Sequence, residues 1–291
     1  MAGLRIGPTC GSFGRMRRVS LFWACVFWLV GTPSKELPAA ESPSSSGAST
    51  IQFPTTPLQY EHPKVLKGDI YSQAGNKREL LFHFERRAVR EGNKLTVRRE
   101  YTYPDGRIAA RERVAYDGNE LGFFELEETQ TGGRGSATIR QRPGSPGRAA
   151  VDFTYQPQAG APLKTSTEEL RQNTFINDMV GVFLASHWDA LARGEKLRCR
   201  YIVVPRRETV GFTFFRTSES TWQGQDVAVI RMEPTSAILG ALVKPLYFTI
   251  EKRAPHRVLQ YTGRTTPKLK DGAQWKDLDA VTVFDWKQAE P

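Results

Sequence analysis

The feature that most constrains the fold of this chain is an alternation of apolar and polar residues, interrupted by turn sequences about every dozen positions. Leu80, Phe82 and Phe84, for example, fall on one face of such a segment. Turn sequences such as 104–106 (Pro-Asp-Gly) and 117–119 (Asp-Gly-Asn) separate successive segments. Period-two patterning indicates strands with one buried face, and short turns favour antiparallel neighbours. The sequence therefore predicts antiparallel meanders.

One segment between the meanders departs from this pattern. Ser166 or Thr167 can cap a helix, apolar residues then recur at three- and four-residue spacing, and Gly194 can end it. The spacing predicts one central helix at about 167–192, interrupted near Asn173 or Gly181. It should bury four side chains against the sheet: Phe175, Met179, Phe183 and Trp188. The whole order predicts a mainly β fold, an antiparallel meander forming an open or closed barrel with one central α-helix.

The N-terminal region is typical of an exported protein. Arg17 and Arg18 precede the apolar run 19–30, and small residues follow at 38–40. This is the anatomy of a signal peptide, and the run is too short to cross a bilayer as a helix. We therefore predict a signal peptide at 16–40 that begins at Met16.

The remaining boundaries follow from this assignment. Residues 1–15 are then an extension upstream of the true start. Residues 41–57, rich in Ser, Pro, Thr and Ala, form a disordered leader. A single β-rich domain follows at 58–288. The expected location is the periplasm or another extracytoplasmic compartment.

Charge and cysteine content exclude several function classes. Without residues 1–40 the chain holds 36 Lys and Arg against 30 Asp and Glu, interspersed rather than clustered. That balance argues against nucleic-acid binding and permits peripheral contact with anionic membrane surfaces. The Arg-rich segments 85–87 and 98–100 are interpreted as solvated strand faces. Cys199 is the only cysteine outside 1–40, so no intrachain disulfide or cysteine metal site is expected, and its apolar neighbours predict a buried thiol.

Candidate catalytic chemistry is sparse. The four histidines lack a metal-ligand spacing, and no glycine-rich phosphate loop or dinucleotide motif appears, so no metal or cofactor is predicted. The best candidate cluster is 187–189 (His-Trp-Asp), late in the predicted helix, for which a structural role is the plain interpretation, with Trp188 as a core anchor. An enzyme, of the hydrolase type, would use His187 with Asp178 or Asp189.

Aromatic residues and two arginines suggest ligand binding instead. Aromatic side chains occupy most predicted strands, where they either fill a barrel or line a cavity for an acyl chain. Arg206 and Arg264 follow strand ends, where a planar guanidinium could hold an anionic headgroup at a cavity mouth. The alternative is that one of them pairs with Glu208 or another local carboxylate.

Four short motifs resemble an uncharacterised family of exported bacterial envelope proteins. They lie at 187–195, 205–212, 245–248 and 261–264, within about residues 165–265. The resemblance implies an envelope domain and supplies no catalytic residue. In strand order alone the chain is similar to the periplasmic lipoprotein carriers LolA and LolB, open barrels closed by helices.

These observations predict a non-catalytic envelope protein that binds a lipid or other apolar ligand in a curved β-sheet. The candidate ligand-binding residues are His187, Trp188, Arg206, Tyr247, Tyr261 and Arg264. Besides the enzyme, a module that docks a protein or polysaccharide is an alternative. A wide apolar cavity would favour the carrier, a filled core the docking module, and a polar cleft around His187 the enzyme.

Overall fold

The computed structural model describes residues 58–73, 78–142, 144, 148–236, 240 and 243–291. All of them belong to one compact unit. The predicted extension at 1–15, the signal peptide at 16–40 and the leader at 41–57 lie outside the described residues.

The described residues are mainly β, as predicted, and form one sheet. Its strands are β1 (Val65–Ser72), β2 (Leu80–Glu91), β3 (Lys94–Thr102), β4 (Ile108–Asp117), β5 (Glu120–Glu128), β6 (Gly133–Gln141), β7 (Ala149–Gln156), β8 (Lys164–Glu169), β9 (Thr174–Phe175), β10 (Leu197–Val203), β11 (Glu208–Trp222), β12 (Gln225–Pro234), β13 (Leu246–Glu251), β14 (Val258–Asp271) and β15 (Gln274–Glu290).

Two meanders meet in the middle of this sheet. The strand order runs from β8 down to β1, then β15 down to β9. Strands β1 and β15 pair antiparallel, which joins the first strand to the last. Every neighbouring pair is antiparallel except β9 and β10, which are parallel. The sheet therefore has two edges, β8 and β9, which are consecutive in the chain.

Hydrogen bonds that involve side chains, rather than strand pairing, connect the two ends of the sheet. The hydroxyl of Ser166 in β8 donates to the carbonyl of Arg207, in the turn before β11. The carboxylate of Glu168 accepts from both the backbone N–H and the hydroxyl of Thr209, each at 2.8 Å. The sheet is thus an open barrel whose ends are joined by side chains.

A glycine makes part of this closure possible. A Cβ atom on Gly135 in β6 would lie 2.5 Å from Cγ1 of Val204 and 2.8 Å from the carbonyl oxygen of Thr154. Val204 begins the 3₁₀ turn between β10 and β11, Val204–Arg206. The bare backbone at Gly135 lets this turn pack directly on the opposite end of the sheet.

The helical segment is shorter than predicted. It comprises a 3₁₀ turn at Asn177–Met179, α1 at Val180–Ser186 and α2 at Trp188–Ala192. The predicted helix start at 167 is wrong, because 164–169 is strand β8. The two residues expected to cap the helix form hydrogen bonds within the β-structure instead. The Ser166 hydroxyl donates to the Arg207 carbonyl, and the Thr167 hydroxyl donates to Asp152 at 2.7 Å. Asn173, with a φ of 59°, lies in the turn between β8 and β9, at one of the two positions predicted to interrupt the helix.

The helical segment packs on the sheet. Met179, Phe183 and Trp188 of this segment are buried as predicted, and Phe175 is also buried but lies in strand β9 rather than in the helix. They belong to a large apolar cluster with inward-facing residues from β3 to β7 and β10 to β13. We call this side of the sheet the concave face. A second, smaller cluster lies among β1 to β4 and β15.

Strand β1 was not predicted, and β14 and β15 extend beyond the alternating segments 257–264 and 280–286 that predict the last two strands. Gly68 interrupts the apolar pattern of β1, but a Cβ there would lie 2.6 Å from the carbonyl oxygen of Val283. Strand β1 lies between β2 and β15, and a glycine permits that close approach. Strands β14 and β15 continue past a register shift between Arg264 and Lys268, where polar residues hide the period-two signal.

Candidate functional site

A row of charged side chains crosses the concave face. Arg86 in β2 lies directly opposite Arg99 in β3, and Arg99 lies opposite Glu112 in β4. The neighbouring row contains Val97 and Val114, which are fully buried in the large apolar cluster. Arg86 and Glu112 are only 6% and 3% exposed. The interpretation of segments 85–87 and 98–100 as solvated faces is therefore wrong for Arg86 and Arg99.

Arg86 holds the start of the helical segment. Its Nε donates to Oδ1 of Asp178 at 2.7 Å, and its Nη2 donates to Oδ2 at 3.2 Å. The guanidinium also donates to the carbonyls of Tyr60 and Pro63. The Tyr116 hydroxyl donates to Oδ2 of Asp178 at 2.9 Å. This buried ion pair, which we call the latch, fixes Asp178 to the sheet.

Glu112 forms a second link between the helical segment and the sheet. Arg99 Nη1 donates to its Oε2 at 2.8 Å, and the Asn177 amide donates to both carboxylate oxygens, at 3.0 and 2.8 Å. The Thr266 hydroxyl of β14 also donates to Glu112. Glu112 therefore connects the helical segment with strands from both meanders.

Neighbouring charges keep Asp178 and Arg99 ionised despite their burial. Burial opposes ionisation of Asp178, but Arg86, Arg99 and the Tyr116 hydroxyl outweigh it and hold its pKa below the ordinary value. Burial likewise disfavours charged Arg99, yet Glu112 is the main cause that raises the pKa of Arg99 overall. Near pH 7 both groups are therefore charged, and neither exchanges a proton readily.

Tyrosines beside the latch stay protonated. Burial and the Asp178 charge raise the pKa of Tyr60 to about 12 and that of Tyr116 well above its ordinary value. A neutral hydroxyl can donate to Asp178 and cannot act as a base at neutral pH. The arrangement is suited to anchoring the helical segment rather than to general acid–base chemistry.

His187 and Trp188 lie at the junction of α1 and α2. His187 is 6% exposed, and its Nδ1 lies 2.8 Å from the Phe183 carbonyl oxygen. Burial lowers its pKa. Trp188 stacks on His256 with ring centroids 4.7 Å apart. Asp178 is engaged by Arg86 and Tyr116.

The two arginines predicted to bind an anion pair with carboxylates of the chain itself. Arg206 pairs with Glu208, the partner named in the alternative interpretation. Arg264 pairs with Asp279 at 2.8 Å and Asp277 at 2.5 Å. Both arginine side chains are about half exposed, at 49% and 47%.

The two candidate tyrosines point to opposite faces of the sheet. Tyr261 packs on Phe248 with centroids 5.1 Å apart, at the border of the large apolar cluster, and its hydroxyl donates to the Arg264 carbonyl at 2.7 Å. Tyr247 precedes Phe248 in β13 and so projects from the other face. The structure therefore does not gather the six predicted residues into one site.

The sequence analysis missed the charged row, although a signal for it was present. Arg86 lies on the same face of its strand as Phe82 and Phe84. Arg99 likewise lies on the same face of its strand as Val97 and Tyr101. A charge at an inward position of an amphipathic strand indicates a buried, paired group. What the sequence could not show is the partner, because Asp178 is distant in the chain.

Among the residues that the structure describes, no group of three His, Cys, Asp or Glu side chains is arranged to hold a metal ion. Within the same residues, no helix combines the length and apolar character needed to span a bilayer.

The chain was compared with known proteins. No family model, no curated protein and no solved structure matches it.

Proposed function

We propose that this protein is a non-catalytic envelope protein that binds a lipid or other apolar ligand on the concave face, in place of the helical segment. The observation that carries the proposal is the nature of that segment. It covers an apolar face, yet polar contacts at its start, through Asp178 and Asn177, attach it to the strands. It is therefore a cover with a defined attachment.

The length of the segment supports this role. Its helices have 7 and 5 residues, and isolated helices of that length are unstable in water. Gly194, with a φ of 85°, follows it directly, and Asn173, with a φ of 59°, lies before the short strand β9 that leads into it. The segment therefore depends on packing against the sheet, and two defined points allow the chain to change direction around it.

An acyl chain could replace the contacts that the segment makes. Phe183, Leu184 and Leu191 are fully buried on the concave face. Each buried methylene of a ligand would contribute about 0.8 kcal/mol, so a long acyl chain could offset the loss of several such side chains. Location outside the cytoplasm is the part of the proposal that rests on residues 16–40 alone.

The enzyme alternative has less support from the geometry. It requires His187 to act with Asp178 or Asp189. Both oxygens of Asp178 already accept hydrogen bonds, and Asp189 is exposed on α2. Moreover, burial lowers the pKa of His187 where its Nδ1 meets a backbone carbonyl, as expected of a packed residue.

The proposal is tested by ligand recovery and by titration. Native mass spectrometry of the purified full chain, with organic extraction of the same sample, should show a bound lipid-sized mass. After delipidation, dansyl-undecanoic acid should bind saturably at one site, and oleate should displace it. Protein that emerges without lipid and does not bind the probe saturably would contradict the proposal.

A further inference from the structure

A groove lies on the face of the sheet opposite the helical segment. Leu197 and Cys199 of β10 face the large apolar cluster, so Lys196, Arg198 and Arg200 project from the other side. The groove has a volume of about 510 Å³ and runs across β10, β11 and β12. We call it the outer groove.

Cross-strand register explains why a depression forms there. Arg200 lies opposite Gly211 in β11, and Arg198 lies opposite Thr213. Gly211 has no side chain to fill the space, and a Cβ there would lie 2.5 Å from the Thr235 hydroxyl. The Thr235 side chain takes the space beside Gly211, and Thr213 and Thr235 line the outer groove together with the basic residues.

The charge of the outer groove is positive. Lys196 and Arg198 form no ion pair with any carboxylate among the residues that the structure describes. Glu233, the acidic residue of the lining, pairs with Arg231 at 2.8 Å. Arg231, outside the groove, thus already compensates the charge of Glu233. The positive potential of the groove is therefore set by Lys196 and the two arginines of β10.

One of these basic groups is held in place. Arg200 Nε donates to the Thr209 hydroxyl at 2.9 Å, and its Nη2 donates to the Thr209 carbonyl at 2.6 Å. The Thr209 hydroxyl in turn donates to Glu168, so that carboxylate compensates Arg200 only through an intervening hydroxyl. A pre-positioned guanidinium loses less rotamer freedom when it binds an anion.

We propose that the outer groove binds a phosphate-bearing molecule, through Lys196, Arg198 and the Thr213 hydroxyl, with Arg200 adding a fixed positive charge. Phosphate offers several acceptor oxygens to planar guanidinium and ammonium donors. The volume of the groove exceeds that of phosphate alone and leaves room for a further group, as in a sugar phosphate or a phospholipid headgroup. This site lies on the other side of the sheet from the concave face and does not depend on its proposed ligand.

Two experimental arms separate the sources of the phosphate. In the first, calorimetry measures binding of inorganic phosphate and glycerol 3-phosphate to the full chain. In the second, sedimentation with vesicles of phosphatidylglycerol and phosphatidylcholine, against phosphatidylcholine alone, measures headgroup binding. Saturable binding in the first arm assigns a soluble phosphate compound, and binding to the anionic vesicles alone assigns a lipid headgroup.

Substitutions assign binding to the groove. Arg198→Gln and Lys196→Gln should each weaken binding at least fivefold. The control Arg98→Gln removes the same charge from an exposed position of β3, on the same face of the sheet, and should leave binding unchanged. Thermal melting checks that all three variants fold. Absence of binding in both arms, or equal weakening by Arg98→Gln, would overturn the proposal.

Discussion

The latch between Arg86 and Asp178 should dominate the stability of the described domain. Arg86→Met removes the positive partner of a carboxylate whose side chain is 1% exposed. Removing one partner of a buried ion pair costs about 3–5 kcal/mol, because the remaining charge is left without compensation. Since urea m-values of small proteins are about 1–3 kcal/mol per M, the midpoint of urea unfolding should fall by more than about 1 M.

A matched control isolates burial as the cause. Arg113 pairs with Glu125 at 3.1 Å across neighbouring strands, and both side chains are 48% exposed. Arg113→Met should therefore change the free energy of unfolding by no more than about 1 kcal/mol. Circular dichroism in urea measures both variants.

A double-mutant cycle tests the coupling itself. Asp178→Leu in the Arg86→Met background removes the carboxylate that Arg86→Met leaves uncompensated. The Tyr116 hydroxyl still loses its acceptor, and the carbonyls of Tyr60 and Pro63 still lose their donor. The double variant should be more stable than the sum of the single effects predicts, by about 1–3 kcal/mol. Additive effects, or a cost below about 1 kcal/mol for Arg86→Met, would contradict a stabilising role for the Arg86–Asp178 ion pair.

Three further outcomes are expected. Gly135→Ala should destabilise the protein by about 1–3 kcal/mol, because its Cβ would lie 2.5 Å from Cγ1 of Val204. The control Gly122→Ala places a Cβ 3.5 Å from the nearest carbonyl oxygen and should leave stability unchanged. Thermal melting compares the two variants. Burial raises the pKa of Cys199 to about 12, so peptide mapping after iodoacetamide treatment at pH 8 should find Cys199 unmodified until urea unfolds the chain. Burial lowers the pKa of His187 in the folded protein from its ordinary value of 6.5, so the unfolded chain takes up the proton first as the pH falls, and the folded state should lose stability below pH 6.5. His187→Asn should therefore reduce the change in the urea-unfolding midpoint between pH 7.5 and 5.5. An unchanged pH dependence of the midpoint would contradict this.

The sequence predicted the fold class because period-two patterning is local. Strands β2 to β5 are marked by turns at 104–106 and 117–119, and their pairing with sequence neighbours needs no long-range information. Strand β8 was missed because Ser166, Thr167 and Glu168 also suit a helix start. Contacts with Asp152 in the neighbouring strand β7, and with Arg207 and Thr209, which are 41 residues away from their partners, decide in favour of the strand.

The ion pairs of the charged row could not be predicted from local sequence patterns for a similar reason. The strand phase of Arg86 and Arg99 could have shown that they face inward. Their stability there depends on Asp178 and Glu112, and the Arg86 pairing spans 92 residues of chain. The same limitation affects the outer groove, which forms only when the side chains of β10 lie beside the bare backbone of Gly211.

Acyl-chain binding with and without the latch would show whether the helical segment is a displaceable cover. If the helical segment must leave the concave face, a variant that loosens it should bind more tightly, since apparent affinity scales with the fraction of open protein. Dansyl-undecanoic acid should therefore bind Asp178→Asn several-fold more tightly than the original protein, at a temperature where both are folded. Glu125→Gln, which removes an exposed carboxylate, should bind like the original protein. Unchanged or weaker binding by Asp178→Asn would contradict the claim that the helical segment is a displaceable cover.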